Sequence, residues 1–325
     1  MAVRKSQQGV ALVAVLLIFA LISVLAASMV HRQNLLLQRS LNMLSQDQAY
    51  QFALAIELFA REVLHDDYEK DRKDNKFVDT LQELENSIVY AEPTFSVEGQ
   101  LDDLQARFNI NSLVTPTGQV NSIARQRFEN LLFQLGITDF RVEVLIDWLD
   151  PDDQVSEGGG AEDETYLLKD PPYRAGNQPM RNTSELLLLE GMTRETYELL
   201  EPYVTALPPE VNKLNVNTMS AQLIRSLDSR ISEQQALAAV EARGMEGYES
   251  LQEFLNEFAS FNLQSQAAQL DVRSEYFQLT ARAIFDGRSS RLVSIIHRDR
   301  NGEIEVIQRD QGKRYAITKQ ALQLQ

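Results

Sequence analysis

A continuous apolar stretch, residues 10–30, constrains this chain more than any other feature of its sequence. It reads VALVAVLLIFALISVLAASMV, and its polar residues are the uncharged Ser23 and Ser28. As an α-helix the stretch would reach about 30 Å, the thickness of the hydrocarbon core of a bilayer. Arg4 and Lys5 lie just before it. The positive-inside rule therefore predicts a single-pass membrane protein with a cytoplasmic N-terminus and most of the chain across the membrane.

The residues after this stretch extend the helical pattern well beyond the membrane. From Val10 to Glu92 the sequence contains neither glycine nor proline. We predict one continuous helix of about 55 residues that reaches the charged run at residues 65–75, with its second half packed on a soluble domain. Apolar residues at helical intervals predict a stripe through which this helix contacts partner helices. The stripe comprises Leu37, Leu41, Leu44, Phe52, Ile56, Phe59 and Val63.

The segment before the apolar stretch resembles the leader of type IV prepilins, because it is short and basic and ends at Gly9. In that class a prepilin peptidase cuts after the glycine, methylates the new N-terminus and leaves the apolar helix in place. The resemblance implies cleavage between Gly9 and Val10 and methylation of Val10. The alternative is a secretory signal peptide that is cut at the small residues 26–28, which would leave a chain starting at Met29.

The fifth residue after Gly9 is Ala14, where most prepilin-like chains carry glutamate. A carboxylate in lipid costs roughly 2.5–3.5 kcal/mol unless it is paired. In those chains the partner is the N-terminal amine of a neighbouring subunit, so a subunit with no neighbour above it gains little from the glutamate. Ala14 therefore indicates either the tip-most position in a filament or an ordinary anchor without a filament.

Composition excludes several classes of function. Asp and Glu number 47 against 31 Lys and Arg, so the net charge is −16, which argues against nucleic acid as a partner. The absence of cysteine excludes disulfides, zinc–thiolate sites, iron–sulfur clusters and thiol catalysis. The 3 histidines are far apart, and the sequence has no nucleophile elbow, phosphate loop or dinucleotide fingerprint. We therefore predict no catalytic residues and no enzymatic activity.

The end of the chain has the clearest β pattern. We predict antiparallel strands at residues 276–285, 292–296 and 304–307, joined by turns at 286–287 and 301–302. Residues 92–111 predict one or two further strands with a turn near Gly99, and the polar tail from Gln311 onward is expected to fray. Between these β-segments lies a helical pattern with Ser and Thr at several helix starts. The candidate helices are residues 122–135, 141–149, 183–188, 193–201, 220–227, 232–243 and 250–257.

The predicted fold class is α+β: a long N-terminal helix packed on a small antiparallel sheet, with a large inserted α-helical domain. The predicted segments are a leader (1–9), a transmembrane part (10–30), the soluble helix with the first β-segment (31–108), the insertion (109–272), and the C-terminal strands and tail (273–325). Two Asn-x-Asn segments, at 109–111 and 215–217, resemble the start of helix-hairpin-helix units. Their surroundings are acidic and lack a glycine-rich hairpin, so we predict turns and caps and not DNA contacts.

Residues 147–166 are rich in carboxylates around the flexible run Gly158–Gly160. Unpaired, these charges would repel one another and hold the loop open. Ca²⁺ would remove this repulsion, since it takes six to eight oxygen ligands in adaptable geometry. The predicted ligand set is Asp147, Asp150, Asp152, Glu162, Asp163 and Glu164. The spacing is not that of an EF-hand, and a solvated acidic loop without a metal is the alternative.

Four short sequence motifs resemble those of a known protein family, and the resemblance covers nearly the full length of the chain. They are LIDWLDPD at 145–152, GAED at 160–163, PYRAGNQPM at 172–180 and SEL at 184–186. With Ala14 and the leader, they resemble the general secretion pathway protein K family, the large minor pseudopilin of bacterial type II secretion. The resemblance implies a pseudopilin core with an inserted α-domain that holds calcium.

It further implies an inner-membrane protein with its bulk in the periplasm. Its expected partners are the I- and J-class minor pseudopilins, the major pseudopilin filament and the prepilin peptidase. With the I and J subunits it would form the tip complex that initiates or caps the filament used to export folded proteins. The competing hypothesis is a membrane-anchored or secreted calcium-binding protein with no filament role.

Overall fold

The computed structural model describes residues 8–84, 86–261, 263–313 and 315–323. The basic residues of the leader, Arg4 and Lys5, lie outside the described residues. The helices are α1 (Gln8–Asp74), α2 (Leu81–Leu84), α3 (Ser122–Gln134), α4 (Val142–Leu149), α5 (Asp163–Tyr166), α6 (Arg194–Leu200), α7 (Ala221–Ser226), α8 (Glu233–Arg243) and α9 (Leu251–Glu257). The strands are β1 (Asn86–Ala91), β2 (Phe95–Asp103), β3 (Phe108–Asn109), β4 (Val204–Thr205), β5 (Leu214–Asn215), β6 (Leu270–Asp271), β7 (Tyr276–Phe285), β8 (Arg288–Arg298), β9 (Ile304–Asp310) and β10 (Gln320–Gln323).

The long N-terminal helix is continuous, as predicted, but it has 67 residues and runs through the charged segment instead of ending at it. Glu, Lys and Arg tolerate helical conformation well, and Arg72 forms an ion pair with Glu69 one turn away at 2.6 Å. Tyr68, inside the charged run, is buried. The helix ends where Asn75 takes a left-handed conformation with φ of 52°, a common C-terminal cap.

One sheet in the order β10-β1-β2-β7-β8-β9 packs on α1. The predicted C-terminal strands and both of their turns are confirmed, and β2, β7, β8 and β9 pair antiparallel. The tail does not simply fray, because β10 pairs parallel with β1. An exposed edge strand offers a row of free N–H and C=O groups, so a polar segment that reaches it can be ordered by backbone hydrogen bonds alone.

The turn predicted near Gly99 is wrong, since Gly99 lies in the middle of β2 and pairs with Ala281. The turn falls earlier, at residues 92–94, between β1 and β2. A Cβ at position 99 would lie 2.5 Å from Cγ2 of Ile56 on α1. The glycine is therefore needed for close helix–sheet contact and not for a turn.

The buried face of α1 carries small residues where it crosses the sheet. Ala49, Ala53 and Ala60 are at most 2% exposed. They allow the helix backbone to approach the sheet closely, while the larger Ile56 and Leu64 fill the space against the core residues Phe277, Leu279, Ala281, Leu292 and Ile296. This is the smaller of the two hydrophobic cores, and the larger one lies entirely within the insertion.

The insertion leaves the sheet at the end of β2 and returns at the start of β7. All the predicted helices are present, although residues 183–188 form a 3₁₀-helix. Phe108, which the sequence-based boundaries placed with the sheet, belongs to the core of the insertion. The insertion contains the same arrangement twice, a pair of short parallel strands. In the first unit β3 pairs with β4, and in the second β5 pairs with β6.

The second asparagine of each Asn-x-Asn segment forms hydrogen bonds with backbone groups from a distant part of the insertion. Asn111 donates to the carbonyls of Met180 and Leu207, each at 2.8 Å. Asn217 donates to the carbonyl of Tyr248 at 3.1 Å and accepts from its N–H at 2.7 Å. Both side chains are buried, so they serve as turns and clamps and present nothing to a DNA phosphate.

A buried polar network joins the insertion, the sheet and the end of α1. Arg298 of β8 is 1% exposed and forms ion pairs with Asp79 and with Asp67 of α1. Asp103, at the end of β2, accepts hydrogen bonds from Asn215 and Ser274 at 3.1 and 2.6 Å. Burial raises the pKa of Asp79 to about 6, against the opposing attraction of the Arg298 charge. A buried charge network of this kind is costly to break and fixes the geometry of the elements it joins.

We expect Gly99→Ala to destabilise the soluble part by about 1–3 kcal/mol, because the new methyl group overpacks the helix–sheet contact. Adding Ile56→Ala should make the double variant more stable than the sum of the single effects, since it removes the clashing methyl group. Chemical denaturation of the four proteins measures this coupling. Gly312→Ala is the matched control, because its Cβ would meet only Asp310 at an ordinary 3.4 Å. Additive single effects would contradict the assignment.

Candidate functional site

Three carboxylates of the predicted metal set are buried together in the insertion. Asp147 lies in the last turn of α4, Asp150 caps the end of that helix, and Glu162 precedes α5. Their exposed fractions are 0%, 8% and 3%. Within the described part of the chain, none of the three forms an ion pair with Lys or Arg. Buried carboxylates without a cation are costly, so their retention here requires a cause.

Several oxygens at this site have no hydrogen-bond partner among the described residues. They are Oδ1 of Asp150, both carboxylate oxygens of Glu162, and Oδ1 of Asn177. Within the described ranges, Asp147 accepts hydrogen bonds only from the backbone N–H of Ser156, whose nitrogen lies 3.2 and 3.1 Å from the two carboxylate oxygens. A native structure rarely leaves this many buried acceptors unpaired, and binding of a cation is one of the recognised causes of such a cluster.

The protonation equilibria reflect the same crowding. Burial, together with the negative charges of Asp147 and Asp150, raises the pKa of Glu162 to about 7. Burial and the charges of Asp152 and Asp147 raise the pKa of Asp150 to about 6. Both shifts show that these groups repel additional negative charge and would be stabilised by a cation.

The glycine run closes the loop over Asp147. A Cβ at Gly160 would clash with the carboxylate of Asp147, so the glycine allows the returning chain to pass close to this group. Arg141 donates a hydrogen bond to the carbonyl of Gly158 at 3.3 Å and so fixes the outer part of the run. The glycine run thus places the chain next to Asp147 two residues before Glu162.

The other members of the predicted set are placed differently. Asp152 is exposed and accepts from the N–H of Gln154 at 2.9 Å, although its charge acts on Asp150 and Glu162. Asp163 is engaged by Arg174 and by the N–H of Ala175, both at 2.9 Å. Glu164 is exposed. Among the described residues, no three His, Asp or Glu side chains are arranged so that they could hold a metal ion as they stand.

Two residues of this site, Asn177 and Trp148, are absent from the set predicted from the sequence. Asn177 donates to the carbonyl of Asp152 and to the carboxylate of Asp153, at 3.1 and 2.9 Å, and keeps its own Oδ1 buried and unpaired. The run PYRAGNQPM, which contains it, was a usable signal. Trp148, between the two aspartates of α4, is 4% exposed and packs edge-on against Tyr166 with ring centroids 5.2 Å apart. As the single tryptophan of the chain it is a natural reporter of this site.

Among the described helices, only α1 is long and apolar enough to cross a membrane. Its most apolar segment is not buried by the rest of the chain. Gly9 and Val10 lie in its first turn, and their side chains are not described. Leu12 through Val30 expose large apolar side chains on all sides of the helix. This helix fits a single-pass membrane anchor.

The sheet covers some residues of the predicted partner stripe and leaves the others exposed. Ile56 is 5% exposed and packs in the chain's own core, and the ring of Phe52 stacks on that of Phe95 at 4.7 Å, so neither is free for a partner. The face that meets the sheet is turned about 100° from the stripe around the helix axis. The members that remain on the open surface are Leu37, Leu41, Leu44, Phe59 and Val63, and the structure adds Leu58.

Comparison with known proteins gives consistent matches. A family model described as "Type II secretion system (T2SS), protein K" matches residues 106–209, and a second model with the same description matches residues 214–273. These two ranges correspond to the β3–β4 and β5–β6 units of the insertion.

Full-length relatives show similarity beyond the insertion. The type II secretion system protein K of Pseudomonas aeruginosa is 34% identical, covering 95% of this chain and 94% of that protein. The protein K of Klebsiella pneumoniae is 34% identical over 84% of this chain and 87% of its own length. The fold is similar, with a TM-score of 0.70 and 26% identity, to a chain in the crystal structure of the GspK-GspI-GspJ complex from enterotoxigenic Escherichia coli, covering 82% of this chain and 98% of that one.

The raised pKa of Glu162 predicts how stability depends on pH when a chelator is present. A carboxyl group whose pKa rises from 4.5 to about 7 on folding binds more protons in the folded state, so its contribution to stability falls as pH rises from about 4.5 to 7. Glu162→Gln should therefore raise the melting temperature at pH 8 by a few degrees, and the difference should vanish near pH 4.5. Thermal melts of both proteins in EDTA measure it. A difference that is the same at both pH values would contradict the raised pKa.

Proposed function

The chain belongs to the type II secretion system protein K family, and we propose that it is the minor pseudopilin that forms the tip complex with the I- and J-class minor pseudopilins. This complex initiates or caps the pseudopilus that exports folded proteins. The observation that carries the proposal is the fold similarity to a chain of the GspK-GspI-GspJ complex. The architecture of the chain gives the physical reason for a tip position.

The insertion sits at the far end of the α1 rod. Contacts of α1 with the sheet begin near Asn42, which accepts a hydrogen bond from Arg288 at 2.7 Å. Past the end of the helix, Lys76 contacts the insertion through an ion pair with Glu249 at 2.8 Å. A subunit stacked above would have to occupy the space of this insertion, so the chain suits the end of a helical array.

The open apolar side chains of α1 supply the surface for partner helices. Leu41, Leu44, Leu58 and Phe59 are 53%, 55%, 61% and 44% exposed, which is unusual for large apolar residues beyond a membrane segment. They lie on the side of the helix that the sheet leaves uncovered. Burial of these side chains against the α1-type helices of the I, J and major subunits would drive assembly.

We propose that the chain is anchored in the bacterial inner membrane by residues 10–30, with its bulk in the periplasm. A prepilin peptidase would cut between Gly9 and Val10 and methylate Val10, which leaves the apolar rod in place. The proposed role is assembly and not catalysis, and it involves no nucleic acid. The uninterrupted course of α1 from the apolar segment into its contact with the sheet supports the retained anchor.

Co-expression with I- and J-class subunits in membranes tests the tip role. We expect the detergent-solubilised full chain to co-purify with both subunits at equal stoichiometry. Leu58→Glu with Phe59→Glu should reduce co-purification at least tenfold, because two charges would be buried in the helix contact.

The exposed substitution Glu305→Gln on β9 is the control and should leave the complex intact. Intact mass of the purified chain reports the processing in the same samples, and a methylated start at Val10 is expected. Equal co-purification by both variants would refute the helix contact, and a start at Met29 would refute the retained rod.

We propose that the acidic site of the insertion holds Ca²⁺. The unpaired buried oxygens of Asp150 and Glu162, and the repulsion that raises their pKa values, support a hard divalent cation. Asp147, Asp150 and Glu162 would provide charge, and Asn177 and Asp152 additional oxygens, with backbone carbonyls and water completing the set. The ion would neutralise the loop and stabilise the insertion. Asp163 and Glu164 have less support as ligands, since Asp163 is already paired with Arg174.

Calcium should raise the melting temperature of the full chain in detergent by several degrees over EDTA, since binding to the folded state alone adds stability. Trp148 fluorescence should change along the same calcium titration. Asp150→Asn should remove both effects, whereas Glu157→Gln, at an exposed acid of the same loop, should retain them. An unchanged melt and unchanged fluorescence in the wild type would exclude a structural calcium ion.

A further inference from the structure

A positively lined cavity lies on the face of the sheet that is turned away from α1. Phe277, Leu279 and Ala281 point into the core under α1, so the alternating residues of β7, including Arg282, point to the other face. There the C-terminal segment crosses the sheet and encloses a cavity of 260 Å³. Its lining includes Arg282, Arg291 and Lys313. Among the described residues of the lining, Glu98 is the one carboxylate.

Two arginines of this cavity stand directly opposite each other on neighbouring strands. Arg282 of β7 pairs in register with Arg291 of β8. Like charges at opposite positions destabilise a sheet, so the pair is not explained by folding. Glu98 compensates only one of the two, through a 2.9 Å ion pair with Arg282.

Some hydrogen-bond donors of the cationic side chains in this cavity have no acceptor among the described residues. Arg291 is half-buried and, within the described residues, makes no ion pair and no side-chain hydrogen bond. Nε of Arg282 is a buried donor without a partner. Among the described residues, the ammonium group of Lys313 donates to the hydroxyl of Tyr315 at 3.1 Å, lies 5.2 Å from the centre of that ring and forms no ion pair. Buried donors without acceptors are costly, and an anionic ligand would supply the missing acceptors.

The positive surface continues beyond the cavity. A small adjoining space of 30 Å³ shares Lys313 and Tyr315 with it and adds Arg107, Arg181 and the single carboxylate of Glu201 to the described lining. Neither arginine forms an ion pair in the part of the chain that the structure describes. This local charge is opposite in sign to the net charge of −16. Because the Debye length is about 8 Å at physiological salt, a ligand in the cavity responds to these nearby cations and little to the distant carboxylates.

We propose that this cavity binds a carboxylate presented by an extended acidic segment of a partner polypeptide. Paired guanidinium groups are suited to bidentate binding of carboxylates. The volume is below that of sites for drug-sized ligands and fits a single side chain. Val293, Ala316 and Ile317 add an apolar wall that would contact the methylene groups of a glutamate. The neighbouring Arg107 and Arg181 would meet further acidic residues along the same segment.

Fluorescence anisotropy of a fluorescein-labelled hexaglutamate peptide, titrated with the full chain in detergent at 50 mM salt, tests this proposal. We expect saturable binding that weakens when salt is raised to 200 mM. Arg291→Glu should weaken binding at least tenfold. Arg288→Glu is the matched control, because Arg288 is on the same strand but exposed and outside the cavity, and it should change affinity less than twofold.

Arg291→Gln separates binding from folding. It should weaken peptide binding while its melting temperature stays equal to or above that of the wild type, since it removes the like-charge contact with Arg282. Equal affinity of the Arg291→Glu and Arg288→Glu proteins for hexaglutamate would overturn the proposal. So would binding of inorganic phosphate at least as tight as that of hexaglutamate, which would indicate a site for small anions and not for a polypeptide.

Discussion

The contact between α1 and the sheet is the constraint on which the rest of the structure depends. One helix of 67 residues fits a membrane anchor in its first part and packs on the sheet in its second. Ala49, Ala53 and Ala60 on the helix, and Gly99 on β2, remove side-chain volume along the line of contact. Because helix and sheet are held at short range, the anchor and the soluble head form one continuous element and not two units on a linker.

The position of the insertion follows from a second constraint, the buried charges around Arg298. This side chain joins α1 through Asp67, the segment after α1 through Asp79, and its own strand β8. Asp103 and Asn215 carry the network into the insertion. Hydrophobic contacts are not directional, whereas ion pairs and hydrogen bonds are, so this network fixes how a large domain is oriented on a small sheet.

Charge is distributed unevenly over the molecule, and this matters for function. The insertion concentrates unpaired carboxylates around Asp150 and Glu162, where the proposed Ca²⁺ would bind. The open face of the sheet concentrates unpaired cations around Arg291, despite a strongly acidic total. In both places the folded chain tolerates repulsion that folding alone would not favour. Groups retained at such a cost are typical of sites that meet a ligand or partner.

The sequence by itself determined the elements: a long helix without Gly or Pro, strands with period two, caps on the helices of the insertion, and the family through words such as PYRAGNQPM. These are local patterns, and local backbone preference decides them. Only the tertiary structure decided that Gly99 lies within a strand, that Ile56 faces the sheet and not a partner, and that the tail supplies a parallel edge strand. It also decided that Asp163 turns to Arg174 while Asn177 joins the acidic site. Each of these placements depends on which residue from a distant part of the chain occupies the adjoining space. The spacing of residues along the sequence does not determine such contacts.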